Sequence, residues 1–191
     1  MTPTQELPFV TICMPVYNAI EFIRPVLNAL YNIDYPKKLL RVIYVDNCST
    51  DGTYRVLQKF KKEHAIEYEG IILKKTCKRG LGHVRNTCLK YRKGFVFWAE
   101  SDVIVPPKIL KKLLLHLRRE PRIGWVHAPC IRKDPTFYER IFISRLPENC
   151  RYAEATEHTS SLIRPEVIEV MGPFYEDGGY PFDSWEAAAQ Y

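Results

Sequence analysis

The stretch VTICMPVYNAIEFI, residues 10–23, joins two different hydrophobic patterns. It opens with a continuous apolar run, rich in β-branched residues, that stops at Pro15, which is typical of a buried strand leading into a loop. From about Ala19 to Asn32 the apolar residues recur with the period of a helix. A buried strand followed by an amphipathic helix begins a βαβ unit, so this stretch predicts a parallel sheet.

The same alternation continues along the chain. Further strands are predicted at residues 39–45, 70–73, 95–99, 123–127 and 159–163, and helices at residues 53–64, 80–93, 108–119, 166–171 and 184–190. Repeated strand and helix pairs predict an α/β fold in which helices flank a mixed, mostly parallel central sheet with Rossmann-like units. A length of 191 residues fits one domain.

Polar segments follow three of the predicted strands, at residues 15–18, 46–52 and 100–102. Ligands of parallel sheets bind at the carboxyl ends of the strands, so we expect the three segments to meet at one site. In the third segment Glu100 and Asp102 flank one residue, and paired carboxylates suit Mg²⁺ or Mn²⁺ bound together with substrate phosphates. For a single acidic residue at such a place, capping of the turn is the commoner role.

Composition narrows the class of partner. The residues are 46% hydrophobic and 13% aromatic, enough for a core, so disorder is not expected. The net charge of +6, from 28 Lys and Arg against 22 Asp and Glu, suits an anionic partner such as nucleotide phosphates, nucleic acid or acidic lipid headgroups. The sequence has no nucleic-acid recognition motif, so nucleic acid is not expected. The charge permits peripheral contact with a membrane without requiring it.

The six cysteines show no C-x-x-C pair and no zinc-ligand spacing. Cys13 in a predicted strand and Cys88 in a predicted helix fit small buried apolar residues. The first residues lack the pattern of a signal peptide, and no apolar run reaches the roughly 20 residues of a spanning helix. These features predict a reducing compartment, the cytoplasm, with disulfides inside cells expected only in a hyperthermophile.

Four segments, taken in order and spacing, resemble glycosyltransferase family 2. They are VTICMPVYNAIEFI (10–23), VIYVDNCSTDGT (42–53), GLGHVRNTCL (80–89) and FVFWAESDVIVPP (95–107). A fifth, HTSSLIRPEVIEVMGPFYED (158–177), is similar to the acceptor-side block of that family. The resemblance covers about residues 10–186. It implies the GT-A fold of nucleotide-diphospho-sugar transferases, as a single catalytic domain over residues 1–191.

Within that domain the resemblance implies a nucleotide-binding half at about residues 8–105 and an acceptor-side half at about residues 106–191. The implied reaction moves a sugar from a nucleoside diphosphate sugar, with UDP as the default nucleotide, to a hydroxyl of a glycan, lipid or protein. Little sequence follows the acceptor-side block. The acceptor lobe is therefore expected to be minimal or to be completed by another subunit of an oligomer.

The resemblance also implies roles for residues of the nucleotide-binding half. The main chain around Pro15, Val16 and Tyr17 would flank the nucleobase. Asp46 would accept a hydrogen bond from the base, although a turn cap is its alternative role. Arg85, in the Arg-Asn pair of the family, would lie near the nucleotide, and an exposed basic helix residue is the competing interpretation.

The metal site implied by the resemblance lies in the third polar segment. Glu100 occupies the first position of the family's D-x-D element, which faces the ribose or the metal, and Ser101 lies beside it at the nucleotide. Asp102 occupies the second position, the direct ligand of Mn²⁺ or Mg²⁺. Glu in place of Asp departs from the family's pattern and adds a methylene group, which changes how Glu100 would reach the ribose or a metal-bound water.

An inverting transfer also needs a base that takes the proton of the acceptor hydroxyl. In the family an acidic residue before the final helix has this role, and the segment YPFDSWEAAAQY (180–191) offers Asp183 and Glu186. The alignment is ambiguous by one residue and puts either Ser184 or Asp183 at the base position. Serine is not a credible general base, so Asp183 is the predicted base, with Glu186 second and Asp177 third. Capping of the predicted helix at residues 184–190 is the competing role of Asp183.

Two other classes of protein stay open at this stage. A nucleotide-sugar-binding module of the same fold without transfer activity is suggested by Glu100 and by the ambiguous base. A Rossmann-type oxidoreductase is suggested by Gly80 and Gly82, but Arg85 stands where the third glycine of that fingerprint belongs, and the segment follows the third predicted strand instead of the first.

Overall fold

The computed structural model of the chain describes residues 6–78, 80–128, 160–174 and 176, together with the backbone of Phe142–Ser144. The strands of this part are β1 (Val10–Val16), β2 (Leu40–Asp46), β3 (Gly70–Lys75), β4 (Phe95–Trp98), β5 (Trp125–His127), β6 (Phe142–Ser144) and β7 (Ser161–Ile163). The helices are α1 (Ile23–Tyr31), α2 (Thr53–His64), α3 (Leu81–Leu89), α4 (Ile109–Arg119) and α5 (Pro165–Met171).

The seven strands of the described part form one sheet in the order β3-β2-β1-β4-β7-β5-β6. β1 pairs in parallel with β2 and β4, and β2 pairs in parallel with β3. β7 is antiparallel to both β4 and β5, and β6 is antiparallel to β5. Strands β1 to β5 therefore run in one direction and β6 and β7 in the other, which confirms the predicted mixed, mostly parallel sheet.

Helices cover both faces of this sheet because alternate strand residues point to opposite sides. In β1, Ile12 and Met14 join an apolar cluster that includes residues of α1, α2 and α4. The intervening Cys13 joins a second cluster with residues of α3 and α5. Such buried strands show a continuous apolar run in the sequence, because both of their faces are covered.

The structure corrects three predicted boundaries. β1 does not stop at Pro15 but continues to Val16. Pro15 is tolerated because β1 pairs with β4 only as far as Cys13, so the missing N–H lies at an edge of the sheet. α1 begins at Ile23 instead of Ala19, after a turn, and α3 ends at Leu89, four residues before the predicted end at residue 93.

Gly94 fixes the entry into β4. Its φ is +66°, and a Cβ placed on it would lie 2.2 Å from the carbonyl oxygen of Phe9, so only glycine fits. The hydroxyl of Thr11 donates to the carbonyl oxygen of Lys93 at 2.7 Å and accepts from the N–H of the same residue at 2.8 Å. These contacts hold β4 beside β1, so the acidic segment after β4 is brought to the end of β1.

The four cysteines among the described residues divide into two kinds. Cys13 and Cys88 are free and buried, as predicted, and burial followed by the hydrogen bond with Cys88 raises the pKa of the Cys13 thiol. Cys48 and Cys77 form a disulfide between residues 29 apart in sequence, with Cα atoms 5.0 Å apart. The sequence did not predict this bond, because only the fold brings the loops after β2 and β3 together. In the part of the chain that the structure describes, no helix is long and apolar enough to cross a membrane.

Candidate functional site

A cavity of about 280 Å³ lies at the carboxyl ends of β1, β2 and β4. Its lining consists of Pro15, Val16, Tyr17, Asn47, Leu81, Val84, Glu100 and Ser101. All three polar segments singled out in the sequence contribute to this cavity, because parallel strands deliver their ends to one edge of the sheet. The lining from α3 was not predicted, since a leucine and a valine in a helix carry no signal that separates a cavity wall from a core.

Asp46 ends β2 in register with Val16 of β1 and directly precedes Asn47 of the lining, but it is fully buried and is not itself part of the lining. Its Oδ2 accepts a hydrogen bond from the N–H of Ser49 at 3.1 Å, which is the turn cap considered above. Its Oδ1 is buried and has no hydrogen-bond partner among the described residues. A buried polar atom without a partner costs free energy, so an oxygen that is both buried and unpaired beside a cavity is suited to a ligand N–H.

The loops that carry the first two polar segments are tied to each other. The N–H of Asn18 donates to Oγ of Ser49, and Oδ1 of Asn18 accepts from the N–H of Thr50, each at 2.9 Å. The N–H of Ile20 donates to Oδ2 of Asp51 at 3.0 Å. Three bonds between two loops fix the wall of the cavity before any ligand arrives.

Arg85 lies behind the cavity and is not part of its lining. The residue is only 6% exposed, and its guanidinium carbon lies 5.9 Å from the ring centre of Trp98 and 5.4 Å from that of Phe174. One guanidinium nitrogen lies 3.8 Å from Oε1 of Glu100. Arg85 thus connects an aromatic pair to a carboxylate of the cavity wall.

The two carboxylates of the third polar segment face different surroundings. Glu100 lines the cavity, whereas Asp102 is exposed in the turn after β4. In the described residues, no group of three or more His, Cys, Asp or Glu side chains is placed to hold a metal ion. Mg²⁺ and Mn²⁺ nevertheless need only one or two carboxylates from the protein, because they take most of their remaining ligands from substrate phosphates and water.

The residues predicted to act on the acceptor lie outside the described residues. They are Asp177, Asp183 and Glu186. Their predicted roles remain predictions, and so does the helix at residues 184–190.

A polar cluster on α3 was missed by the sequence analysis. Glu176 accepts hydrogen bonds from Nζ of Lys78 at 2.6 Å and from Nδ2 of Asn86 at 2.8 Å, and Nδ1 of His83 lies 3.2 Å from it. The bond from Lys78, followed by that from Asn86, lowers the pKa of Glu176 to about 2. The signal was the asparagine after Arg85, but only the fold shows what that amide contacts.

Comparison with known proteins gives a consistent result. The Glycosyl transferase family 2 model matches residues 11–171. The poly(ribitol-phosphate) beta-N-acetylglucosaminyltransferase TarS of Staphylococcus aureus strain Mu50 is 32% identical over 102 residues, which are 53% of this chain and 17% of TarS. Glycosyltransferase AglE of Haloferax volcanii is 36% identical over 94 residues, or 49% of this chain and 30% of AglE. The chain therefore spans less than a third of the length of either relative.

Solved structures share the fold. The mannosyltransferase PcManGT from Pyrobaculum calidifontis, in complex with GDP-Man and Mn²⁺, superposes with a TM-score of 0.70 at 23% identity, covering 97% of this chain and 52% of that chain. Residues 1–349 of S. aureus TarS give a TM-score of 0.70 at 23% identity, covering 96% of this chain and 55% of that one. The predicted GT-A fold is thereby confirmed. The family model matches most of the residues of this chain, so the chain belongs to glycosyl transferase family 2.

Proposed function

We propose that this chain is the catalytic domain of a metal-dependent glycosyltransferase that moves a sugar from a nucleoside diphosphate sugar to an acceptor hydroxyl with inversion. The observation that carries the proposal is the cavity at the carboxyl ends of β1, β2 and β4, with a buried, unpaired oxygen of Asp46 beside it. We propose UDP as the nucleotide and a glycan, lipid or protein as the acceptor. A TarS structure in complex with UDP-GlcNAc supports UDP, and the GDP-Man complex of PcManGT makes GDP the competing candidate.

In the donor complex Asp46 would accept an N–H of the nucleobase at Oδ1 while Oδ2 keeps its bond to the turn. Tyr17, whose side chain is 62% exposed at the cavity, offers a ring against which a base can stack. The loop bonds between the first two polar segments hold both residues in place. Recognition of this kind reads the base and the ribose and leaves the sugar to the acceptor-side half.

Asp102 and Glu100 would hold Mn²⁺ or Mg²⁺, with Ser101 beside the nucleotide. When bound, such a cation neutralises the charge of the departing diphosphate without proton transfer. Arg85, with one guanidinium nitrogen 3.8 Å from Oε1 of Glu100, would orient that carboxylate from behind the cavity. This arrangement leaves Asp102, the more exposed carboxylate, as the direct ligand.

On the other side of the sugar Asp183 would take the proton of the acceptor hydroxyl, with Glu186 as the alternative base. The acceptor oxygen forms its bond to the anomeric carbon as the bond to the diphosphate breaks. Attack from the face opposite the leaving group inverts that carbon.

A nucleotide panel tests the proposal. We expect one of UDP, GDP, CDP, dTDP and ADP to raise the melting temperature in Mn²⁺, because roughly 2.7 kcal/mol of stabilisation accompanies a hundredfold excess over the dissociation constant. The shift should vanish in EDTA and in Asp102→Ala. The exposed Glu120→Ala variant, away from the cavity, serves as the control and should keep the shift.

Two results would count against this function. A shift that survives in Asp102→Ala would remove that residue from the metal site, and no shift from any nucleotide would remove donor binding altogether. A binding module without turnover is the second candidate, favoured by the glutamate at position 100. It predicts the same selective shift but no hydrolysis or transfer of the matching nucleotide sugar.

A further inference from the structure

The segment after α5 is attached to α3 by a carboxylate. Glu176 brings together Nζ of Lys78 at 2.6 Å, Nδ2 of Asn86 at 2.8 Å and Nδ1 of His83 at 3.2 Å. Lys78 directly follows a disulfide-bonded cysteine, and the two side chains from α3 lie one helical turn apart. The carboxylate therefore joins the loop after β3, the helix α3 and the segment after α5 at one point.

A second attachment lies two residues earlier. Nδ2 of Asn86 donates to the carbonyl oxygen of Phe174 at 2.8 Å, and Oδ1 of the same amide accepts the N–H of Phe174 at 2.7 Å. Gly80, the N-cap of α3, also lies beside this segment: a Cβ there would be in ordinary van der Waals contact with the carbonyl oxygen of Glu176, at 3.6 Å. The segment thus follows α3 from its start to its middle.

Two side chains, those of Phe174 and Arg85, connect this attachment to the cavity. Phe174 packs edge-on against Trp98, with ring centres 5.7 Å apart, and lies under the guanidinium of Arg85. Arg85 in turn pairs with Glu100 in the cavity wall. A displacement of Phe174 would therefore move Arg85 and, with it, the Glu100 carboxylate.

We propose that Glu176 is a positioning residue of the transfer reaction, which holds the acceptor-side segment on α3 and, through Phe174 and Arg85, fixes Glu100 at the cavity. The inference rests on the proposed function. It adds a residue that contacts neither donor nor metal in that proposal and that acts through its neighbours.

The charge of Glu176 is central to this role. Bonds between charged partners are shorter and about twice as strong as neutral ones. Glutamine at the same position keeps the shape, but its amide would present an N–H to Lys78 or Asn86, which are themselves donors. The pKa of about 2 means that the carboxylate is ionised throughout the neutral range.

The experiment compares Glu176→Gln with Glu169→Gln in the full chain. Glu169 is the matched control because it also pairs across to the other half, with Arg92, but its side chain is 68% exposed. Hydrogen exchange of the Phe174 amide, which donates to Oδ1 of Asn86, should be about tenfold faster in Glu176→Gln and unchanged in Glu169→Gln, as expected for losing one charge-assisted bond. UDP-N-acetylglucosamine is the probe for turnover.

For turnover we expect kcat of Glu176→Gln to fall about tenfold and the donor KM to rise by less than that, because Glu100 is displaced while the contacts proposed for Asp46 and Tyr17 are kept. Glu176→Asp, which keeps the charge, should recover part of the loss. Glu176→Gln that exchanges and turns over like Glu169→Gln overturns the inference alone. A raised KM with unchanged kcat overturns it too, in favour of a donor contact. Failure of the wild type to bind any nucleotide overturns the proposed function, and the positioning role of Glu176 with it.

Discussion

The two carboxylate oxygens of Asp46 have different surroundings, and a substitution can separate their roles. Oδ2 caps the turn after β2, while Oδ1 is buried without a partner in the described residues. A residue that served only as a cap would gain nothing from burying its second oxygen. The bonded Oδ2 supports the role of turn cap, and the buried, unpaired Oδ1 supports the role of base contact.

We predict that Asp46→Asn weakens binding of the donor nucleotide about 10- to 100-fold, because a hydrogen bond to a charged group contributes about 1.5–3 kcal/mol. The amide oxygen can still accept from Ser49, so the turn should survive. Isothermal titration with the nucleotide selected by the thermal panel measures the effect. Asp51→Asn is the control, since Asp51 accepts from Thr53 and Ile20 and should affect melting temperature more than affinity. Equal affinity in wild type and Asp46→Asn would remove the base contact.

Single residues were predictable to different degrees. The convergence of Tyr17 and Glu100 on one cavity followed from the sheet pattern alone, because strand ends share an edge. The surroundings of Arg85 did not follow, since Trp98 and Phe174 are distant in sequence and meet only when β4, α3 and the segment after α5 are packed. Contacts between side chains from separate elements depend on packing that no local pattern encodes.

At the scale of elements, the loop after β2 is held by more than its own turn. The disulfide between Cys48 and Cys77 joins it to the loop after β3, and the N–H of Thr76 donates to the carbonyl oxygen of Asp46 at 2.9 Å. The loop that the disulfide closes contains α2 and β3, which are one helix and strand pair of the fold. The cavity wall that carries Asn47 is thereby fixed to its neighbour.

We predict that replacing Cys48 and Cys77 by serine lowers the free energy of unfolding by about 3–4 kcal/mol, the chain-entropy value for a loop of this length. Urea unfolding of the oxidised protein and of the double variant measures the difference. Reductant should destabilise the wild type and leave the variant unchanged. Two reactive thiols at these positions in the native wild type would contradict the bond.

The bounds of a helix were predicted correctly where its residues show one clear helical periodicity. Helix α2 (Thr53–His64) matches its prediction, because a glycine in the left-handed region precedes it and its helical periodicity is clear. The start of α1 was placed too early, since the residues after Ala19 have helical periodicity but form a turn first. Local periodicity does not reveal that the N–H of Phe22 donates to the carbonyl oxygen of Ala19 at 2.9 Å, which closes a turn before the helix.

For the whole molecule, acid stability depends on carboxylates whose charge is favoured by folding. The pKa of Glu69 is lowered mainly by its hydrogen bond with Arg41, that of Glu67 by its bond with His64, and that of Glu176 to about 2 by its bond with Lys78. A folded-state pKa below the unfolded one means that the unfolded chain binds protons first. The stability these groups give is present above the ordinary pKa of 4.5 and is lost as the pH falls below it.

We therefore predict a melting temperature that changes little from neutral pH to about pH 5 and falls between about pH 5 and pH 2. In Glu176→Gln the neutral value should be lower and the fall smaller, because one of the titrating groups is gone. Thermal unfolding at several pH values measures both curves. Parallel curves for the two proteins would mean that Glu176 does not contribute to acid sensitivity.

The order of the strands has a consequence for the synthesis of the chain. β7 lies between β4 and β5, although the ribosome delivers it after both. Strands β1 to β4 can pair as soon as they leave the ribosome. β5 cannot join their sheet until β7, which ends at Ile163, has been synthesised. During that interval the outer edge of β4 is open, with the buried side chains of Phe97 and Trp98 on its two faces. The nascent protein completes its sheet by inserting a late strand into the middle, so this open edge is the surface that chaperones would have to shield.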